Sequence, residues 1–324
     1  MSKAIRFHKT GGPEVLQLDE VSVGEPGPGQ VRVRHTAIGV NFLDTYQRSG
    51  LYPIQLPSGA GNEGAGVVEA VGQGVTQLRA GDRVAYTGGT PGAYSETRLY
   101  PADRLVKTPA GISDEQAASI MLKGMTAQYL IHRTYAVKRG DTVLFHAAAG
   151  GVGLLACQWL KALGATVIGT VGSDAKAAIA KAHGCDHAIV YTRENFVERV
   201  KEITGGKGVP VVYDSVGKST FEGSLDCLRP FGLMVSFGNA SGAVPPFNTG
   251  ILAQKGSLYL TRPTLVTYIA ARADLEATSS ALFDAIKSGK VKVDISARYK
   301  LADAAQAHRD LEARKTTGQI ILVP

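Results

Sequence analysis

The stretch at 140–161 constrains the fold of this chain more than any other. It reads Gly-Asp-Thr-Val-Leu-Phe-His-Ala-Ala-Ala-Gly-Gly-Val-Gly-Leu-Leu-Ala-Cys-Gln-Trp-Leu-Lys. Residues 142–146 are a short apolar run suited to a buried strand. Residues 147–151 carry almost no side chain, and 152–163 have helical character that Gly164 ends. A strand, a small-residue turn and a helix make a site for a dinucleotide pyrophosphate. The helix N-terminus offers N–H groups and partial positive charge, and small residues let the diphosphate approach the backbone. Ala148 stands where the usual G-x-G-x-x-G has its first glycine, followed by Gly150 and Gly153. A glycine triad alone is weak evidence. The flanking strand and helix, with the further strand–helix units that follow, carry the reading.

Around this stretch the pattern changes twice. Residues 1–122 read as mostly β, with alternation at 3–7 and 30–38, further strands at 67–71 and 83–86, and Gly and Pro between them. Residues 123–262 alternate strand and helix. Strands are expected at 166–170, 187–191, 209–214, 233–237 and 257–261, and helices at 174–183, 195–204 and 220–228, which predicts a doubly wound parallel sheet. Residues 263–324 break the alternation, with amphipathic helices at 275–288 and 302–314 and a strand at 319–323. No apolar run approaches the ~20 residues a membrane span needs. The opening residues lack the apolar core of a secretion signal, and three cysteines without motif spacing suit a reducing compartment, so the expected location is the cytoplasm. Net charge is +7, but the basic residues are scattered and no nucleic-acid motif is present, so nucleic acid is not expected as the main partner.

Gly140, Asp141, Leu144, Ala148, Ala149, Gly150, Gly151, Gly153, Gln158 and Lys161 match the quinone oxidoreductase signature of the medium-chain dehydrogenase/reductase superfamily. Over its whole length the chain resembles the zinc-free, zeta-crystallin-like NADPH:quinone oxidoreductases. The resemblance implies an α/β fold: a chaperonin-10-like β-barrel at 1–122, a Rossmann domain at 123–262, and a tail at 263–324 that returns to the first domain.

NAD-selective sites place an acid at the end of the second strand, where it bonds the ribose hydroxyls and repels a 2′-phosphate. Here 166–170 runs into Val171, Gly172 and Ser173, with Asp174 placed as an N-cap of the next helix and Lys176 in its first turn. Small residues and a nearby lysine suit a phosphate, so the expected cofactor is NADPH. The resemblance adds Tyr191 to this end, Gly150, Gly151 and Val152 to the pyrophosphate, and Thr126, Ser215, Phe237, Gly238 and Asn239 to the ribose and nicotinamide. Arg314, near the end of the last long helix, is a further candidate.

Substrate-side candidates crowd 41–52: Asn41, Asp44, Tyr46, Arg48 and Tyr52. Asn41 can bond a carbonyl or the nicotinamide ribose. Tyr46 and Tyr52 can donate a phenolic hydrogen and pack on a flat ring, although the Leu-Tyr-Pro run at 51–53 also suits simple packing. Asp44 reads as an orienting partner and as a cofactor contact. By the resemblance these residues lie in the cleft between domains. Zinc is not expected. Residues 39–44 hold no cysteine, Asn62 stands where a histidine ligand would be, and three scattered cysteines cannot form a four-cysteine site. His183, Cys185 and His187 read as an ordinary connection broken by Gly184. Without a metal Lewis acid the natural chemistry is reduction of an acceptor that is already electron-poor. A small quinone, taking hydride or single electrons, is the leading substrate. The alternatives are an enoyl or enone reductase and an RNA-binding protein modulated by NADPH. The apolar stretch at Ser257–Thr261, at the expected end of the sheet, predicts a homodimer paired through that edge.

Overall fold

The computed structural model describes all 324 residues. The chain opens with β1 (Ser2–Phe7), β2 (Gln17–Val21), β3 (Gln30–Gly39), α1 (Phe42–Ser49), β4 (Ser58–Gly59), β5 (Glu63–Val71), β6 (Arg83–Thr87), β7 (Thr97–Pro101), β8 (Val106–Lys107) and α2 (Asp114–Tyr129). It then alternates through β9 (Thr142–Phe145), α3 (Gly151–Leu163), β10 (Thr166–Val171), α4 (Asp174–Ala182), β11 (His187–Val190), α5 (Phe196–Ile203), β12 (Val209–Asp214), α6 (Phe221–Asp226) and β13 (Leu228–Ser236). Two short helices, α7 (Gly250–Gln254) and α8 (Leu265–Tyr268), flank β14 (Tyr259–Thr261). The chain closes with α9 (Arg272–Lys287), β15 (Ile295–Lys300), α10 (Ala304–Glu312) and β16 (Gln319–Val323).

Two compact units result. One holds Met1–Met125, Ile269–Lys287 and Val293–Pro324, and the other Thr126–Tyr268 with Ser288–Lys292. Both boundaries fall a few residues later than 122 and 262. The first lies inside α2, so Thr126 is a helical residue. The second moves because Tyr268 belongs with the dinucleotide unit: its ring stacks on Tyr129 at 4.3 Å, and its carbonyl accepts from Arg133 at 2.8 Å.

In the barrel unit β3 is the hub. Its period-2 pattern buries Val31, Val33, His35 and Ala37, and it pairs antiparallel with β5, β7 and β16. The larger sheet runs β15-β16-β3-β5-β6-β8 with β7 beside β3, and a smaller one runs β2-β1-β4. Ile320 and Leu322 of β16 sit in the same core as Phe7, Ile38, Tyr86 and Tyr94, so the C-terminal tail completes the barrel's interior. β15 was not expected. Its sequence, Ile-Ser-Ala-Arg-Tyr-Lys, is too polar to show a buried face, and its residues alternate only between half-buried and exposed.

In the dinucleotide unit six parallel strands run β11-β10-β9-β12-β13-β14. Val143, Leu144 and Phe145 of β9 and Val211, Val212 and Tyr213 of β12 have no exposed surface, as central parallel strands covered on both faces require. The strand order reverses between β9 and β12, which opens a crevice at their carboxyl ends. β14 does end the sheet, but it is shorter than expected: Ser257 takes φ +55 and Leu258 is buried before pairing starts at Tyr259.

Candidate functional site

At the carboxyl end of β9 the chain turns sharply. Ala147 takes φ +55, its carbonyl accepts from Gly150 N at 2.8 Å, and Gly150 leads extended into α3. A Cβ on Gly153 would lie 2.4 Å from Ala147 O and 2.7 Å from Ala148 O. Glycine therefore lets the turn fold against the first helical turn, whose amides, those of Val152 and Gly153 among them, have no acceptor within the helix. This cradle fits a pyrophosphate.

β10 ends at Val171 without an acid. A Cβ on Gly172 would meet the Tyr191 hydroxyl at 2.9 Å, so the phenol lies over that glycine. Asp174 is not the N-cap expected of it. Ser173 has the extended backbone a cap needs, φ −160, and its Oγ accepts from Lys176 N at 3.3 Å. Asp174 is the first helical residue, and Arg193 donates to both its oxygens at 2.5 and 2.6 Å. That guanidinium holds the Asp174 carboxyl below its ordinary range and balances its charge beside Lys176. Arg193 had not been singled out.

Next along the edge, buried Asp214 organises the end of β12. Its Oδ1 accepts from Val216 N at 2.7 Å and Gly217 N at 3.0 Å, and its Oδ2 from Thr220 Oγ1 at 2.7 Å and Ser224 Oγ at 3.0 Å. Ser224 Oγ also lies 2.9 Å from His146 Nε2, while His146 Nδ1 lies 2.9 Å from Thr170 Oγ1. Since Ser224 donates to the carboxylate, the network assigns the His146 proton to Nε2. Burial pushes its pKa down, so the ring is neutral. Phe237 N donates to Asp214 O at 2.8 Å, and Gly238 packs on Ser215, where a Cβ would fall 2.5 Å from Ser215 O. Gly150, Gly151, Val152, Gly172, Ser173, Lys176, Tyr191, Ser215, Phe237, Gly238 and Asn239 thus share one edge of one sheet. Thr126 lies buried in α2 of the same unit.

The barrel unit carries the second group. Asn41 precedes α1, and Gly50, at φ +86, ends it. Asn41 N donates to Asp44 Oδ2 at 2.8 Å, and the same oxygen accepts from Tyr94 Oη at 2.8 Å. Asp44 Oδ1 accepts from Asn62 Nδ2 at 2.6 Å. Burial pushes the Asp44 pKa up to about 6 against these three donors. With both oxygens engaged inside the barrel unit, Asp44 holds the Asn41 backbone. Arg48 is likewise engaged within the barrel unit. It is buried, donates to Glu312 at 2.6 and 3.1 Å, and reaches His308 Nδ1 at 3.3 Å. Tyr46 and Tyr52 are half-buried with ring centroids 5.2 Å apart, and Tyr52 N donates to Tyr46 O at 3.0 Å. Arg314 follows α10, exposed, with φ +57.

Two groups were missed here. Glu63 is fully buried, and Lys123 binds it at 2.8 Å. The signal for Lys123 was a lone charge in an apolar helical run, Ile-Met-Leu-Lys-Gly-Met at 120–125.

Residues 151–282 match the family described as zinc-binding dehydrogenase, and residues 27–110 match the alcohol dehydrogenase GroES-like domain. The chain is 57% identical over 325 residues to a quinone oxidoreductase of Pseudomonas aeruginosa, covering 100% of both. It is 50% identical over 331 residues to a 2-haloacrylate reductase of a Burkholderia species, covering 100% of this chain and 99% of the relative. Among solved structures it is similar to Escherichia coli quinone oxidoreductase complexed with NADPH, with a TM-score of 0.98 and 55% identity, covering 99% of this chain and 100% of that one. The zinc in the first description meets no suitable donor set here. No group of three or more His, Cys, Asp or Glu side chains could hold a metal, Asn62 is spent on Asp44 and Gln47, and Glu63 already holds an ammonium. His183 Nδ1 bonds Ile179 O at 2.8 Å, and Gly184, at φ +92, turns the chain before Cys185.

Proposed function

The chain belongs to the quinone oxidoreductase family of the medium-chain dehydrogenase/reductase superfamily, and from that premise we propose that it is a zinc-independent NADPH:quinone oxidoreductase acting on small quinones. The carboxyl edge of the parallel sheet carries the reading. It combines a pyrophosphate cradle with a β10 end where Asp174 is neutralised by Arg193 and Lys176 stands beside it. A 2′-phosphate is favoured at such an end, not repelled.

NADPH, when bound, supplies the hydride. The amides of Val152 and Gly153 bind its pyrophosphate. Ser173, Lys176 and Tyr191 hold the 2′-phosphate end, and Ser215, Phe237, Gly238 and Asn239 flank the ribose and nicotinamide. Asn41 donates a hydrogen bond to the acceptor's carbonyl oxygen. Tyr52, packed on Tyr46, offers its phenol to the second oxygen. No zinc takes part, because the donor set does not suit it. The protein works in the cytoplasm, a placement supported by three buried free thiols and by the lack of any helix long and apolar enough to cross a membrane. It pairs as a homodimer through β14, where Tyr259 is 62% exposed on the terminal strand.

The likeness to 2-haloacrylate reductase favours one second reading, reduction of an electron-poor conjugated double bond. Steady-state oxidation of NADPH with a benzoquinone, with 2-haloacrylate and with an enoyl thioester, using NADH as the control donor, separates them. Quinone turnover with a strong NADPH preference is the expected result. Turnover on the double bond alone would move the protein to the second reading.

A further inference from the structure

Lys123 is 6% exposed, yet its ammonium is fully satisfied. Its three N–H donors meet Val40 O at 3.1 Å, Asn41 Oδ1 at 2.9 Å and Glu63 Oε1 at 2.8 Å. Asn41 Nδ2 donates to the same Glu63 oxygen at 2.8 Å, and Glu63 Oε2 accepts from Leu122 N at 2.6 Å. Gly39 makes the room, since a Cβ there would fall 2.2 Å from Glu63 Oε1. An ammonium only donates and a carboxylate only accepts. The Asn41 amide therefore has one possible orientation, oxygen toward Lys123 and nitrogen toward Glu63. Glu63 takes one of the two Nδ2 hydrogens, which leaves the other as the donor of that side chain.

We propose that Lys123 is a positioning residue for acceptor reduction: with Glu63 it locks the Asn41 amide so that its second N–H faces the acceptor's carbonyl oxygen. This rests on the reading of Asn41 as the acceptor's hydrogen-bond donor. As the quinone takes up hydride, negative charge collects on that oxygen, and one proton from solvent completes the hydroquinone. A donor already fixed in place needs no reorganisation as the charge appears. The Lys123 charge, pulling on the amide oxygen, makes the N–H a better donor. A lysine used only to neutralise Glu63 would need neither Asn41 nor its orientation.

The test compares Lys123→Met, Asn41→Ala and the double variant Lys123→Met/Glu63→Gln. The double variant removes both charges, so that folding does not suffer from an orphaned buried carboxylate. Lys123→Met and the double variant are both expected to lower kcat for benzoquinone by about 10- to 100-fold while KM stays within about threefold. In the Asn41→Ala background Lys123→Met is expected to lower kcat by less than about twofold, since the two act as one unit. In the cofactor-free protein the side-chain amide resonances of Asn41 are expected to shift in Lys123→Met. Recovery of kcat in the double variant, additive losses in the Asn41→Ala background, or unmoved Asn41 resonances would each overturn the proposal. A wild-type protein that reduces no quinone would remove the functional reading instead, and the Asn41 resonances would still decide the positioning claim.

Discussion

At the scale of single residues, Asp44 shows how a buried charge becomes a chemical handle. Deprotonated, it accepts from Asn41 N, Tyr94 Oη and Asn62 Nδ2. Burial raises its pKa to about 6, the Asn62 and Tyr94 hydrogen bonds pull the other way, and the nearby Glu63 charge adds to the rise. Protonation removes the acceptor that holds the Asn41 backbone, so quinone reduction should fall as pH drops through about 6. Tyr94→Phe deletes one donor to the carboxylate and should move that midpoint upward in a pH–kcat profile. A midpoint unchanged by the substitution would rule out Asp44 as its source. His308 supports this arrangement. Arg48 donates to its Nδ1, so Nε2 carries the proton and lies 3.1 Å from Tyr94 Oη, whose own hydrogen is free to point at Asp44. Gly153 makes a second residue-scale case. With Ala147 O only 2.4 Å from where a Cβ would stand, Gly153→Ala must displace the turn. NADPH affinity, followed by its fluorescence, should weaken by about tenfold or more, a cost of roughly 1.4 kcal/mol. Wild-type affinity in this variant would show that the cradle is not the pyrophosphate site.

At the scale of elements, α4 and β14 carry the readings that most need testing. Ser173 caps α4, and its replacement by Ala should cost about 1 kcal/mol of stability. It should also loosen the backbone that presents Lys176. Lys176→Ala leaves the cap intact and should narrow the preference for NADPH over NADH without lowering thermal stability. An unchanged ratio of kcat/KM values would remove Lys176 from the 2′-phosphate site. β14 exposes its outer edge, with Tyr259 at 62% exposure and Phe231, in the neighbouring strand, at 70%. Unpaired backbone beside exposed aromatics is the usual template for pairing with a second copy. Tyr259→Lys should convert a dimer into a monomer in light scattering at micromolar concentration. A wild-type monomer would sink the interface itself.

At the scale of the whole molecule, buried histidines govern acid stability: His146 in the dinucleotide unit, and His35 and His308 in the barrel unit. Burial holds His35 at about 4 and His308 at about 3, the latter helped down by Arg48. Their folded values lie below the unfolded value of 6.5, so between about 4 and 6.5 the unfolded chain binds more protons and stability is lost as pH falls. Asp44 has the opposite sign. Its folded value of about 6 lies above the model-peptide 3.8, so its contribution is fully present below 3.8 and is lost as pH rises through about 6. The histidines outweigh one carboxylate. Tm should therefore drop between pH 6.5 and 4.5 in calorimetry, and the barrel unit, which contains His35, His308 and Asp44, should take part in that drop. A flat Tm over that range would show that the histidines are not held neutral.

What the sequence determined by itself is what closes within a few residues. The β9 strand, the small-residue turn and α3 with its Gly164 stop could be read directly, because each depends on periodicity, side-chain size and hydrogen bonds that span one turn. The missing acid at the end of β10 was legible for the same reason, although one position separates the true cap, Ser173, from Asp174. Only the tertiary structure decided the groups whose partners are remote. Lys123 meets its oxygens 60, 82 and 83 residues away, Arg48 meets Glu312 across 264, and Arg193 meets Asp174 across 19. A charge in an apolar run shows that something must satisfy it. Which oxygen does so depends on how β3, β5 and α2 bring Asn41, Glu63 and Lys123 together, and no local pattern in the chain records that.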